Sequence, residues 1–303
     1  IWIWDDRSGQ ASITLNRKDR KKNQTWINHC DIALASIKAI PGVWWNYRRI
    51  ISGVFQTRIR MADRIGISLE VADLDFESQL IALKELNIVP VLVRIGHHQG
   101  KTQWDKSIDH INHLSTEGKS ITVTIFQDRR AVIEPELWLN FLEYILEKIA
   151  SKIDFLIVGH TLNRVKWGIH SIDEYTKLLE PLIALKKKYP NLKILGPNCI
   201  DFEPHYTVAA LNNLPKGLRF NALSHLLYVD RRGAPENKQG CLGIVEKAAF
   251  LNAVALHSNS CEGKLVVSEV NWPLANTREW SPVAATYSPP SSEDSHLHVT
   301  EEQ

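Results

Sequence analysis

From residue 54 onward the chain alternates short apolar, β-prone runs with longer amphipathic stretches, a rhythm that a parallel sheet with crossover helices imposes. The strand-like runs are 54–61, 88–95, 120–126, 155–158, 192–195, 220–227 and 265–269. Helical spacing fills the intervals at 75–86, 104–115, 136–151, 171–188, 206–212 and 242–257, with Pro135 and a Ser171-x-x-Glu174 capping box as start signals. Seven strands in regular alternation predict an α/β fold of the TIM type, a (β/α)8 barrel whose last strand and helices lie beyond residue 303 or are absent. In the second case the first and seventh strands face an open gap, an aggregation liability. No Gly-rich phosphate fingerprint follows any strand.

Three segments follow from this rhythm. Residues 1–52 read as an N-terminal appendage packed outside the barrel: a hairpin formed by 1–4 and 11–15, then a helix over 28–40 that stops at Pro41-Gly42. Trp44, Trp45 and Tyr47 come next, either a sugar platform or a hydrophobic plug under the barrel. The barrel occupies 53–280. Residues 281–303, rich in Pro, Ser, Thr and acids, read as a polar loop or disordered tail; His296 and His298 there lack a third ligand at useful spacing for a metal.

Composition narrows the partners. A chain of 303 residues with 44% hydrophobic content can bury a large core. Its 36 basic and 34 acidic residues are well mixed, which argues against nucleic acid or an electrostatic membrane surface as partner, and the basic run at 17–22 reads as a solvated loop. Cys30, Cys199, Cys241 and Cys261 have no CxxC spacing, so reduced, mostly buried thiols are expected rather than a zinc site or disulfides. There is no signal peptide or apolar run of membrane length, which favours a soluble, cytoplasmic protein without membrane insertion. The chain begins at Ile1 and its single methionine is Met61, which points to a native N-terminus upstream, with a neighbouring domain there as a further partner.

Chemistry in parallel α/β folds collects where strands end. The run Leu265-Val266-Val267-Ser268-Glu269 delivers a carboxylate at such an end, poorly explained by packing, and Trp272 follows. The other strand ends carry Arg58 or Arg60, Arg94 with His97 and His98, Gln127 with Asp128, His160 with Asn163, Asn198, and Tyr228 with Asp230. Polar groups converging at one rim describe a site for a polar ligand, and Trp104, Trp167, Trp272 and Trp280 offer flat faces suited to sugar rings. Arginines and a tyrosine near Glu269 would keep it ionised, as a nucleophile requires.

The segments Val158-Gly159-His160-Thr161-Leu162-Asn163-Arg164 at the fourth strand and Ser268-Glu269-Val270-Asn271-Trp272 at the seventh resemble the (β/α)8 retaining glycoside hydrolases of the two-glutamate clan. The resemblance implies an Asn-Glu acid/base pair ending strand four and a Glu nucleophile ending strand seven. Carried over by position, Glu269 matches the nucleophile, Tyr228 a strand-six residue that contacts it, and Arg94 or Arg58 the arginine beneath. His160 stands where the Asn would be and Thr161 where the acid/base Glu would be. A threonine cannot protonate a leaving group near neutral pH, and loss of a general acid costs about 10²- to 10⁴-fold. Three readings follow: a glycoside hydrolase or transglycosylase in which His160, Asp128, Asp230 or Glu203 replaces the acid; an inactive carbohydrate-binding pseudoenzyme; or a barrel enzyme of another class. With Glu269, Tyr228 and His160 as catalytic candidates, the substrate-binding candidates are Arg58, Arg94, His97, Gln127, Asp128, Asn163, Trp167, Asn198, Asp230 and Trp272. The partner expected is a carbohydrate or glycoconjugate, and the two-carboxylate chemistry requires no cofactor and no metal.

Overall fold

A computed structural model describes residues 2–5, 10–11, 26–54, 56, 58, 60–61, 63–69, 76–227, 238 and 240–270. A small antiparallel pair, β1 (Trp4–Asp5) and β2 (Gln10–Ala11), precedes a seven-stranded sheet. Its strands are β3 (Ile67–Leu69), β4 (Pro90–Gly96), β5 (Ser120–Phe126), β6 (Phe155–Val158), β7 (Lys193–Ile200), β8 (Ala222–Leu226) and β9 (Leu265–Glu269). Every neighbouring pair is parallel and spatial order equals chain order, so the described strands have the arrangement of seven successive strands of a (β/α)8 barrel.

Side-chain alternation sorts the sheet into two faces. Val93, Ile95, Ile121, Val123, Ile125, Leu156, Val158, Ile194 and Leu223 join the main core against the helices. The alternate residues Ile157, Leu195 and Ala222, with Leu92, Phe155 and Val266, form a separate small cluster on the other face. Two cores divided by one sheet are what a sheet curled toward closure produces. The helices are α1 (Trp26–Ile51), α2 (Phe76–Glu85), α3 (Lys101–Thr116), α4 (Arg129–Ile133), α5 (Pro135–Ile149), α6 (Ile172–Leu179), α7 (Pro181–Lys188), α8 (Pro204–Asn212) and α9 (Ile244–His257). None among the described residues is long and apolar enough to cross a membrane.

Several expectations need correction. The first barrel strand is Ile67–Leu69, not 54–61; Arg58 and Arg60 lie outside any strand and are exposed, their charged heads left in water rather than taken into the sheet. The first helix does not stop at Pro41 but runs through it to Ile51. Ile32, Ala39, Val43 and Tyr47 bury on both sides of the proline, against α8 and α9, and that packing outweighs one lost backbone hydrogen bond. Gly42 permits the approach, since a Cβ there would stand 2.4 Å from the His257 ring. The helix expected over 171–188 is two, divided where Pro181 begins α7. Tyr47 alone of its aromatic trio is a plug, packing on Phe250; Trp44 and Trp45 are exposed. The cysteines are unpaired, but only Cys199 and Cys261 are buried. The tail expected at 281–303, and the end of the expected barrel segment at 271–280, lie outside the described residues.

Candidate functional site at the strand ends

Following the inner face of the sheet upward, the next inward position of β4, β8 and β9 changes from apolar to polar. Leu92 gives way to Arg94, Ala222 to Ser224 and Val266 to Ser268. The centre of this layer is Asn198, at the end of β7 with a left-handed backbone (φ 57°), a conformation that asparagine tolerates. Its Oδ1 accepts hydrogen bonds from Ser224 Oγ at 3.1 Å and Ser268 Oγ at 2.7 Å. Its Nδ2 lies 3.3 Å from His160 Nδ1. With Nδ2 donating, Nδ1 is the acceptor and the imidazole proton sits on Nε2. Register shifts at Pro197/Cys199 and His225/Leu226 accompany this change of chemistry.

His160 is buried, and burial, reinforced by the positive charges of Arg94 and Lys166, lowers its pKa to about 3. The ring is neutral at physiological pH. Its backbone is held by Gln127, whose Oε1 accepts from His160 N at 3.0 Å while Nε2 donates to the carbonyls of His160 (3.0 Å) and Trp167 (2.8 Å). Asp128 caps α4 by accepting from Ala131 N at 2.7 Å, and its Oδ2 lies 3.0 Å from His97 Nδ1, a close polar contact. Burial by itself would raise the Asp128 pKa, but His97 and the Ala131 N–H outweigh it and hold the carboxylate below its ordinary range.

The loop after β6 is stapled down. Asn163 Nδ2 donates to Ile200 O (2.9 Å) and Glu203 Oε2 (2.8 Å), and its Oδ1 accepts from Ile200 N (3.0 Å). Arg164 pairs with Asp201 and Glu203 at 2.5 and 2.8 Å. Arg129 makes a two-pronged pair with Glu174 and a bond to Gly168 O. Between these anchors Thr161 is fully buried with φ 46°, unfavourable for a β-branched residue, and its Oγ1 has no hydrogen-bond partner.

The sequence-predicted residues therefore divide. Arg94, Gln127, Asp128, His160, Asn163 and Asn198 gather at the ends of β4 to β7, several of them tied to backbone. His97 and His98 sit on a 3-10 turn rather than a strand and diverge, His97 toward Asp128 and Phe141, His98 toward Trp2, Trp4 and Phe126. Trp167 is buried, with its ring edge-on to His160 at 4.3 Å. Trp104 is a packing residue that donates to Gly96 O. Glu269 is half-buried at the end of β9, in register with Leu226, and its carbonyl accepts from Leu227 N at 2.9 Å. Arg58 is exposed and off the sheet. Tyr228, Asp230, Trp272 and Trp280 lie outside the described residues. Two features escaped sequence reading. Ser224 and Ser268 were detectable as polar residues inside apolar strands. The contacts of Trp4 with His98 (4.3 Å), Phe126 (5.3 Å) and Trp167 (5.8 Å) place the N-terminal hairpin over the strand ends, and nothing local encodes that. No group of three or more His, Cys, Asp or Glu residues able to hold a metal ion occurs among the described residues.

No protein-family model matches the chain, and no curated protein matches its sequence. Solved structures do match in part. A GH39 β-xylosidase from Caulobacter crescentus is 15% identical with a TM-score of 0.47, over 71% of this chain and 55% of that one. The virulence factor SghA of Agrobacterium tumefaciens, in complex with its substrate analog salicin, is 9% identical with a TM-score of 0.41, over 73% and 71%. A β-glucosidase from Exiguobacterium marinum is 11% identical with a TM-score of 0.35, over 51% and 54%. The chain thus spans about half the length of the xylosidase.

Proposed function

We propose that this chain is a glycoside-hydrolase-like barrel that binds a carbohydrate at its strand ends and lacks the proton donor of the two-carboxylate mechanism. One observation supports the reading: Thr161, which the resemblance aligns with the acid/base, is buried, and the described groups that could replace it are committed elsewhere. His160 is neutral with a pKa of about 3, Asp128 is held ionised, and Glu203 bridges Arg164 and Asn163. Glu269 remains the candidate nucleophile and Arg94 the cation that would orient it. Tyr228, Asp230 and Trp272 would complete the sugar subsite from the loops after β8 and β9. The binding body is the barrel at 53–280, with 1–52 as an accessory segment and 281–303 as a polar tail. Unpaired cysteines support a cytoplasmic location.

The test is a glycan-binding screen run beside hydrolysis assays on plain glycosides and on aryl glycosides whose leaving groups need little protonation. Glycan binding with no turnover of plain glycosides is the expected result. Any turnover of activated substrates should vanish in Glu269→Gln. Efficient hydrolysis of plain glycosides would make the chain an active glycosidase, with Asp230 the first donor to examine. Neither binding nor turnover would sink the carbohydrate reading.

A further inference from the structure

Helix α1 is apolar on both sides. At about 3.6 residues per turn, Leu34, Ile37, Pro41, Trp44 and Trp45 fall opposite the face of Ile32, Ala39, Val43 and Tyr47 that packs on α8 and α9. The outer side chains are open to solvent, Ile37 at 64% and Trp45 at 72% of full exposure. A helix that is apolar all round is ordinarily covered on all sides. The charges around this face have one predominant sign. Lys38, Arg48 and Arg49 border it on the helix, against Asp31. That is three cations to one anion in a chain whose charges otherwise nearly balance.

We propose that the outer face of α1 docks on an anionic lipid surface, lying in the interface plane without crossing it. Adjacent tryptophans beside an Arg-Arg pair supply the apolar insertion and the headgroup contact that such helices combine. The cationic border complements phosphatidylserine or phosphatidylglycerol. Averaging over the whole sequence conceals this surface, because the balancing acids lie on other elements.

The full 303-residue chain is mixed with vesicles of phosphatidylcholine alone or of equal parts phosphatidylcholine and phosphatidylserine, and co-sedimentation is measured. Binding is expected only to the anionic vesicles and should weaken with salt. Arg48→Gln with Arg49→Gln should weaken it roughly 20-fold, about fivefold for each cation removed. Trp44→Ala with Trp45→Ala should weaken it by at least ~50-fold. These side chains are exposed, so an unchanged melting temperature verifies that the variants fold. Absence of binding to anionic vesicles, equal binding to neutral ones, or binding indifferent to both double variants overturns the proposal. A lipid-free dimer that dissociates in the tryptophan variant also overturns it, by assigning the face to a second copy of the chain.

Discussion

The strand-end rim has two unlike sides. Around the ends of β5, β6 and β7, polar side chains are buried and spend their hydrogen-bonding capacity on the protein: Gln127 on His160 and Trp167, Asn163 on Ile200, Asn198 on two serines and an imidazole. At the end of β9, Glu269 is half-buried on the last strand of the sheet. A two-carboxylate mechanism needs both sides to face substrate. The first side is built as a structural network that holds the rim in place, whereas the second presents a half-buried carboxylate, which we propose as the nucleophile. A polar residue at a strand end can therefore have either of two meanings, a structural staple or a proposed ligand contact.

Acid should break the first side before the second. His160 and His225 are buried, chiefly by burial their pKa values are lowered to about 3 and about 4, and an unfolded histidine titrates near ~6.5. As pH falls below that value the unfolded chain binds protons that the native rings refuse, so stability declines with falling pH until the native rings titrate. At pH 5 the deficit is about 2 kcal/mol for each ring, roughly 4 kcal/mol together. Urea midpoints at pH 7 and pH 5 measure it, and His160→Gln should recover about half of the loss. Equal slopes in the two proteins would show that His160 is not buried neutral.

Gln127→Ala comes next in size. It strands one backbone N–H and leaves two carbonyls without this donor, a cost of about 3 kcal/mol and a fall in melting temperature of roughly 6–12 °C. Glu269→Gln, made for contrast, should cost less than about 1 kcal/mol while abolishing any nucleophilic turnover. Equal thermal losses in the two variants would erase the distinction between the sides.

How far the sequence could reveal this depended on whether the deciding interaction was local. β5 and β6 match their sequence boundaries to the residue, because an alternating β-branched run and a continuous apolar run end at Gln127 and Gly159. β3 was misplaced: three residues are too few for a period-2 pattern, and the longer run before it drew the assignment. The stop at Pro41 obeyed a local rule that packing on α8 and α9 overrides. At the rim, Gln127, Asn163 and Asn198 fall at strand ends as expected, but their partners are backbone groups 33 to 40 residues away and side chains from other elements. A sequence marks such a residue as polar and strand-terminal, and those properties are the same for a ligand contact and a structural staple.

The smallest expected effect bears most directly on the missing acid. Thr161 is fully buried, strained at φ 46°, and carries a hydroxyl without a hydrogen-bond partner. If that hydroxyl serves only to fill space, Thr161→Val keeps the volume and the β-branch, removes an unsatisfied polar group, and should change stability by less than about 1 kcal/mol in the stabilising direction. Glycan affinity should not move. If the hydroxyl instead bonds a ligand that enters the site, the valine protein keeps its melting temperature and loses affinity by roughly 5- to 10-fold, the worth of one neutral hydrogen bond. Paired melting and glycan-titration curves for this one variant therefore decide whether position 161 belongs to the structural side of the rim or serves as a ligand contact.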